Sequence, residues 1–205
     1  MYASIQIYCS SLTKKFNTVS AERKIILNRI TAYIQTQIEH SVQINLNYIC
    51  THNSRRSHFG QVWAKVAAKY YNVENVHTFS GGTEATAFNA NAIGALERVG
   101  FTIEKTSSAE NPLYKVYFSD QNFVACFSKT YFDSSNPSKD FAAIMTCTDA
   151  DVKCPIVNGA AIKIATPYED PKVFDGTEIQ DIKYNERCEE IALECMYVFS
   201  KVMVK

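Results

Sequence analysis

Residues 42–66 read VQINLNYICTHNSRRSHFGQVWAKV and contain a strand, a polar loop and a helix in succession. From Val42 to Ile49, apolar residues alternate with asparagine and glutamine, which predicts a β-strand. From Phe59 onwards, apolar residues recur at intervals of three and four, which predicts a helix. Residues 50–57, between the two, have the length and polarity of a functional loop.

The position of this loop favours an anion site, because a turn from a strand into a helix N-terminus gathers main-chain N–H groups around one point. Cys50 stands at its rim, where the same field stabilises a thiolate. After five intervening residues, the guanidinium of Arg56 can hold an oxyanion with two hydrogen bonds. The Ser57 hydroxyl can donate to the thiolate or cap the helix. Asn53 can adopt the left-handed conformation in a loop that contains no glycine.

The remaining loop positions leave alternatives open. His52 can contact the anion or the solvent, and Arg55 can add positive charge near the mouth or lie solvated on the surface. The predicted oxyanion-binding residues are Thr51, His52, Asn53, Ser54, Arg55, Arg56 and Ser57.

The rest of the chain alternates between helix and strand patterns. Residues 21–39 predict a helix capped by Ser20, with Arg23 on its outward polar face. Further predicted elements are strands at 76–79, 101–103 and 141–146, a hairpin at 114–127, helices at 89–99 and 184–202, and a loop at 148–176. This order predicts a three-layer α/β/α domain with a central four-stranded parallel sheet at residues 41–205. A helical extension at residues 1–40 precedes it.

Composition excludes several classes of protein. The 205 residues include 46% hydrophobic and 20% charged residues, enough for a packed core. Basic and acidic residues both number 21, which argues against nucleic-acid and membrane-surface partners. The N-terminus has no signal-peptide pattern, and seven cysteines in a chain of this length indicate a reducing cytoplasm.

The motif Cys50-x5-Arg56-Ser57 resembles the active-site loop of the low-molecular-weight protein tyrosine phosphatase family, which includes the thioredoxin-coupled arsenate reductases. The segment YICTHNSRRSHFGQVWA carries this resemblance through its Cys, Asn, Arg and Ser, and FSGGTEATAFNANAIGALERVGF resembles the family's second strand and helix. The resemblance runs from about Ile44 to the C-terminus and leaves residues 1–40 outside. It implies a phosphotyrosine protein phosphatase I-like fold.

For a phosphatase, the resemblance implies a general acid late in the chain, at an aspartate before a proline. Asp170, in TPYEDPKVFDGT, matches that position. Phosphatases of this family usually carry aromatic residues directly after that pair, whereas Lys172 and Val173 follow here. Tyr168 or Phe174 could take their place in lining a phosphotyrosine slot.

For an arsenate reductase, the resemblance implies two further thiols. The segment MTCTDADVKCPIVNGA resembles the redox segment of these reductases, with Cys50 as the nucleophile, Cys147 as the second thiol and Cys154 as the resolving thiol. Six intervening residues let two sulfurs meet across a turn but do not fit a zinc knuckle. The pair could also be bystander cysteines, or one thiol could protect Cys50 as a reversible disulfide.

The sequence thus predicts a cysteine-dependent arsenate reductase that uses a Cys50/Cys147/Cys154 relay. The alternatives are a low-molecular-weight phosphatase that forms a phosphocysteine and a non-catalytic oxyanion-binding module. The expected partners are arsenate or a phosphate monoester and, as reductant, thioredoxin. We expect no metal or cofactor, no nucleic acid and no membrane, and the sequence leaves the oligomeric state open.

Overall fold

A computed structural model describes residues 1–154 and 156–204. The strands are β1 (Ile44–Cys50), β2 (Val76–Gly82), β3 (Thr102–Lys105), β4 (Tyr114–Ser119), β5 (Asn122–Cys126), β6 (Phe141–Met145) and β7 (Ala160–Ala165). The α-helices are α1 (Ala3–Thr13), α2 (Ala21–Glu39), α3 (Arg56–Tyr70), α4 (Ala90–Val99), α5 (Thr148–Lys153) and α6 (Gln180–Ser200). Short 3₁₀ turns lie at Phe16–Thr18 and Pro171–Phe174.

The central sheet is parallel throughout and has the strand order β2-β1-β6-β7. Almost every residue of β1 is buried, because helices cover both faces of the sheet. The chain leaves β1 towards β2 on one side, whereas β6 pairs on the other side. Parallel α/β sheets bind ligands beyond the carboxyl ends of the strands at such a point. The predicted four-stranded parallel sheet is therefore confirmed, and its binding edge lies where Cys50 ends β1.

The predicted hairpin is also present. β4 and β5 pair antiparallel, and Ser119 lies opposite Asn122 at their turn. The strand predicted at 101–103 corresponds to β3 and joins this hairpin in a separate three-stranded antiparallel sheet.

The prediction of a loop over residues 148–176 is wrong, because this region contains α5 and the fourth strand of the central sheet, β7. The sequence AAIKIA of β7 is short, and aspartate, proline and glycine residues surround it. β7 lies at the edge of the sheet beside β6. Its alternation of apolar and polar residues is weaker than that of β1, so tertiary contacts, above all the pairing with β6, define the strand.

The N-terminal extension forms two helices that belong to the main core. Ile5 and Leu12 of α1, and Ile30 and Ile34 of α2, are buried in the same apolar cluster as α3 and α6. Ser20 caps α2 as predicted. The predicted outward orientation of Arg23 is wrong, because its guanidinium binds a buried glutamate of α6. None of the helices in the described ranges combines the length and the apolar character that a bilayer crossing requires.

Candidate active site

The loop after β1 is held in place by the main chain of the next segment. The Cys50 carbonyl accepts from the Thr83 N–H at 3.1 Å, and the Thr51 carbonyl accepts from the Glu84 N–H at 3.0 Å. Asn53 has a φ of 44°, the left-handed conformation predicted for it. Its side-chain oxygen accepts from the Lys129 N–H at 2.9 Å. These contacts fix the curvature of the loop between β1 and α3.

Gly82 is a part of this arrangement that the Cys-x5-Arg motif does not identify. It pairs with Cys50 at the end of β2. A Cβ atom at Gly82 would lie 2.6 Å from the Thr51 oxygen and 2.8 Å from the Asn53 nitrogen. The loop packs so closely that only glycine fits there. The Ser80-Gly81-Gly82 ending of the strand was the available sequence signal.

The sulfur of Cys50 is buried beside a hydroxyl. Ser57 Oγ lies 3.1 Å from Cys50 Sγ, and Asn53 Nδ2 donates to the same Oγ at 2.9 Å. Because the Asn53 amide occupies an acceptor position of the hydroxyl, the Ser57 proton can point at the sulfur. A thiolate at Cys50 would receive this hydrogen bond.

Several hydrogen-bond donors of the loop that follows Cys50 lack acceptors. Within residues 1–154 and 156–204, the main-chain N–H groups of residues 52–55 have no acceptor. Arg56 NH1 donates to the Tyr168 carbonyl at 2.7 Å, and Arg56 NH2 contacts Asp170 Oδ2 at 2.5 Å. Arg56 Nε is buried and has no partner in the described part of the chain. Since unmade buried hydrogen bonds cost about 1–3 kcal/mol each, this donor set favours an anionic acceptor.

Asp170 lies at the mouth of the loop. Its Oδ1 accepts from the Lys172 N–H at 3.1 Å and caps the turn that Pro171 begins, while Oδ2 contacts Arg56. The Asp-Pro pair identified from the sequence therefore lies beside the Cys-x5-Arg loop. A carboxyl group in this place can protonate an oxygen that leaves the bound anion.

Three of the predicted loop side chains point away from the sulfur. Arg55 donates from Nε to Tyr184 Oη at 2.7 Å and from NH2 to Asp175 Oδ2 at 3.2 Å. The expectation of a solvated Arg55 is wrong, because this residue is only 9% exposed and its guanidinium is held by Tyr184 of α6 and by Asp175. The His52 ring contacts Glu84 at 2.9 Å, and Ser54 Oγ donates to the Ala87 carbonyl.

Tyr168 does not line a slot beside the loop, contrary to one expectation. Its side chain is buried, and its hydroxyl donates to Glu194 at 2.5 Å. It contributes its carbonyl oxygen, which Arg56 contacts, instead of its ring. Sequence patterns could not identify this role, since any residue can supply a carbonyl.

The three cysteines of the predicted relay lie in one small cluster. Cys50 and Cys147 are buried together with Ile49 and Met145, and Cys154 packs against this group. Cys147 Sγ lies 3.4 Å from Thr51 Oγ1, next to Cys50 in the chain. The cluster places all three thiols on the side of the sheet that carries the loop.

Cys147 and Cys154 stand at the two ends of α5, not on a polar loop as predicted. Cys147 caps its N-terminus by accepting from the Ala150 N–H at 3.4 Å, and Cys154 follows its last residue. The pKa of Tyr131 is raised, first by burial and then by the Cys154 sulfur beside it. Of the two thiols, Cys154 is the more accessible, since it is half-buried whereas Cys147 is buried.

The other four cysteines are core residues, as predicted for Cys188 and Cys195. They are fully or almost fully buried, and burial raises the pKa of each thiol to about 12; they are Cys9, Cys126, Cys188 and Cys195. At neutral pH they remain protonated and unreactive.

Comparison with known proteins agrees with this arrangement, although no family model matches the chain. An arsenate reductase from Staphylococcus epidermidis is 27% identical over 136 residues, which cover 66% of this chain and 85% of that protein. An arsenate reductase from Brevibacillus brevis is 29% identical over 137 residues, which cover 66% of this chain and 83% of that protein.

Among solved structures, a low molecular weight protein tyrosine phosphatase from T. tengcongensis has the same fold. It superimposes with a TM-score of 0.52 at 15% identity, over 78% of this chain and 100% of that chain. The predicted resemblance is confirmed: the chain resembles the low-molecular-weight protein tyrosine phosphatase family, and its sequence relatives are arsenate reductases. These comparisons support an enzyme of the arsenate reductase or low-molecular-weight phosphatase kind.

Proposed function

We propose that the protein is a cysteine-dependent arsenate reductase. The observation that carries this proposal is the cluster of Cys50, Cys147 and Cys154 beside a loop with unused hydrogen-bond donors. The names of the sequence relatives support the same reaction. A phosphatase needs one thiol, whereas the reduction of arsenate by thiols needs a second one to supply electrons.

In the first step, the Cys50 thiolate attacks arsenate held by the loop amides and Arg56. An S–As bond forms and an As–O bond breaks, and Asp170 protonates the leaving oxygen, which departs as water. Arg56 Nε and the N–H groups of residues 52–55 neutralise the charge on the remaining oxygens. Arsenic is still pentavalent at this point.

In the second step, the Cys147 thiolate attacks Cys50 Sγ. A Cys50–Cys147 disulfide forms, the S–As bond breaks, and its electron pair reduces arsenic to trivalent arsenite. Cys154 then attacks Cys147, so that Cys50 leaves as a thiolate and a Cys147–Cys154 disulfide remains. The contact between Cys147 and Thr51 supports this order, because it holds the second thiol next to the nucleophile.

A reduced thioredoxin-like dithiol is the proposed reductant of the last disulfide. Cys154 is half-buried, and the neighbouring Val152 and Ile156 are exposed apolar side chains, with 71% and 78% of their surface accessible. An exposed apolar border around an accessible sulfur supports docking of another protein.

Phosphate-monoester hydrolysis is the alternative, and the position of Asp170 beside Arg56 favours it. The same nucleophile and acid would form a phosphocysteine that water hydrolyses. The residues after Asp170 argue against phosphotyrosine as substrate, because Lys172 and Val173 are exposed and not aromatic, and the Tyr168 ring is buried.

Two activities measured side by side test the proposal. We expect wild type to reduce arsenate with thioredoxin and thioredoxin reductase, and Cys147→Ser and Cys154→Ser to lose this turnover while they keep aryl phosphate hydrolysis. Cys126→Ser, which removes a buried thiol outside the cluster, is the control. Equal arsenate reduction by all variants would refute the relay. Phosphate binding without either activity would indicate a non-catalytic oxyanion-binding module.

A further inference from the structure

A buried chain of hydrogen bonds joins the N-terminal extension to the loop arginine. Arg23 on α2 donates to both oxygens of Glu194 on α6, from Nε at 2.7 Å and from NH2 at 2.9 Å. Glu194 accepts from the Tyr168 hydroxyl at 2.5 Å. The Tyr168 carbonyl accepts from Arg56 NH1 at 2.7 Å. Arg23 lies in the part of the chain that the family resemblance does not cover.

Because the groups are buried, each hydrogen bond in this series depends on the one before it. Glu194 is 5% exposed and Tyr168 is 7% exposed, so loss of a partner leaves a largely buried polar group. The Arg23 guanidinium also lies 4.8 Å from the centre of the Tyr168 ring, a cation–π distance. Without Arg23, the buried carboxylate of Glu194 would have no ion-pair partner among the residues that the structure describes, and it would respond by protonation or by turning away.

Tyr168 can position Arg56 because its carbonyl occupies one nitrogen of the guanidinium. The planar guanidinium grips an oxyanion with two parallel hydrogen bonds only when its plane is correctly oriented. Tyr168 holds NH1 in place and leaves Nε without a partner in the described part of the chain. A bound anion would accept a hydrogen bond from this Nε. A change at Tyr168 therefore reaches the anion through Arg56.

We propose that Arg23 is a positioning residue for Arg56, so that helix α2 forms an outer part of the active site. Through Glu194 and Tyr168, Arg23 fixes the orientation in which Arg56 receives the oxyanion. The inference rests on the proposed function, since it requires an oxyanion at the loop.

The test compares Arg23→Gln with Arg29→Gln. Arg29 is an exposed arginine of the same helix whose side chain contacts a main-chain carbonyl. The readouts are the dissociation constant of inorganic phosphate, measured by protection of Cys50 from iodoacetamide, and KM and kcat for arsenate. We expect Arg23→Gln to raise the dissociation constant and KM about tenfold. Arg29→Gln should match wild type, and Arg23→Lys should recover part of the affinity.

Two further variants separate positioning from loss of stability. Tyr168→Phe removes the hydroxyl but keeps the ring and carbonyl, and we expect it to weaken phosphate binding. The double variant Arg23→Met with Glu194→Met replaces the ion pair by apolar side chains and should restore the melting temperature but not the phosphate affinity.

An Arg23→Gln protein that folds and binds phosphate as wild type does would overturn the inference. Recovery of wild-type phosphate affinity in the double variant would overturn it too, because stability alone would then explain the effect. A wild-type protein that neither binds phosphate nor turns over arsenate would instead refute the proposed function and the inference together.

Discussion

The side chains around Cys50 are held by individual hydrogen bonds that single substitutions can remove. Ser57 and Asn53 hold the sulfur side of the loop, and Asp170 contacts Arg56 on the opposite side. The proposed nucleophile and the proposed acid therefore have separate contacts, and each can be tested alone.

Ser57→Ala removes the hydroxyl beside the sulfur. A hydrogen bond to a charged group is worth about 1.5–3 kcal/mol, so its loss should slow the reaction of Cys50 with iodoacetamide at pH 7 about tenfold. Ser54→Ala is the matched control, because Ser54 belongs to the same loop but donates to the Ala87 carbonyl. The prediction fails if both variants react at the wild-type rate.

Asp170→Asn removes the proposed proton donor but keeps the shape of the side chain. We expect turnover of phenyl phosphate to fall about 10²- to 10⁴-fold, with a smaller loss for 4-nitrophenyl phosphate, whose leaving group needs less protonation. Asp149→Asn, at an exposed carboxylate, serves as control. An equal loss with both substrates would contradict the role of Asp170 as an acid.

Local spacing was sufficient to predict some of these residues and not others. The positions of Cys50, Arg56 and Asn53 follow from one short segment between a strand and a helix. The orientation of the Arg55 side chain does not follow from that segment, since its partners Tyr184 and Asp175 lie 129 and 120 residues away in the chain. Helical periodicity predicts a solvated Arg23 and fails for the same reason, because the partner of Arg23 is on the last helix.

At the scale of elements, α5 separates the two thiols of the predicted pair. Its six residues between the caps place the Cα atoms of Cys147 and Cys154 about 10 Å apart, at 1.5 Å per residue. A disulfide requires about 4.4–6.8 Å between these atoms. The two sulfurs therefore cannot join while α5 is intact.

We therefore expect α5 to unwind when the Cys147–Cys154 disulfide forms. Hydrogen exchange of the amides of residues 148–153 should be faster in the oxidised protein than in the reduced one. Cys154→Ser treated with the same oxidant should keep the slower exchange. Unchanged protection in a sample whose Cys147–Cys154 disulfide has been mapped would contradict the prediction.

The elements that the sequence predicted best have strong periodicity. In β1, apolar residues alternate with asparagine. Helix α4 has clear end signals as well, a cap at Asn89 and a left-handed Gly100 at its end. By contrast, α5 and β7 have six residues each, which is too few for the helical or the strand periodicity of apolar residues to be recognised. Tertiary contacts define both elements, including the ion pair between Asp151 and Lys163 that joins them.

At the scale of the whole molecule, the N-terminal extension shares one core with the sheet and helices that follow. Residues of α1 and α2 are buried in the same cluster as Trp63 and Phe199. The extension covers this core and also supplies Arg23 to the buried chain that reaches Arg56. Its sequence predicted a helical segment but not that its polar face would contact α6.

Buried His58 should make the stability of the whole protein depend on pH. Burial, aided by the charge of Lys129, lowers the pKa of His58 from 6.5 to about 3. The unfolded chain takes up a proton near pH 6.5 that the folded chain resists until about pH 3. The contribution of His58 to folding stability is therefore complete above pH 6.5 and falls as the pH decreases, with a slope that approaches about 1.4 kcal/mol per unit.

Urea unfolding at pH values between 5 and 8 checks this dependence. Wild type should lose stability below pH 6.5, and His58→Gln should show a smaller slope over the same range. His40→Gln, which removes an exposed histidine at the end of α2, is the control. Parallel curves for wild type and His58→Gln would show that His58 does not cause the dependence.

The most direct test of the account is the alkylation rate of each of the seven cysteines at pH 7, measured by peptide mass spectrometry with and without inorganic phosphate. We predict that Cys50 reacts fastest and that phosphate slows its reaction, while Arg56→Met abolishes this protection. A Cys50 that reacts no faster than buried Cys126 or Cys188, or whose rate phosphate does not change, would contradict the claim that this loop holds an oxyanion against a nucleophilic sulfur.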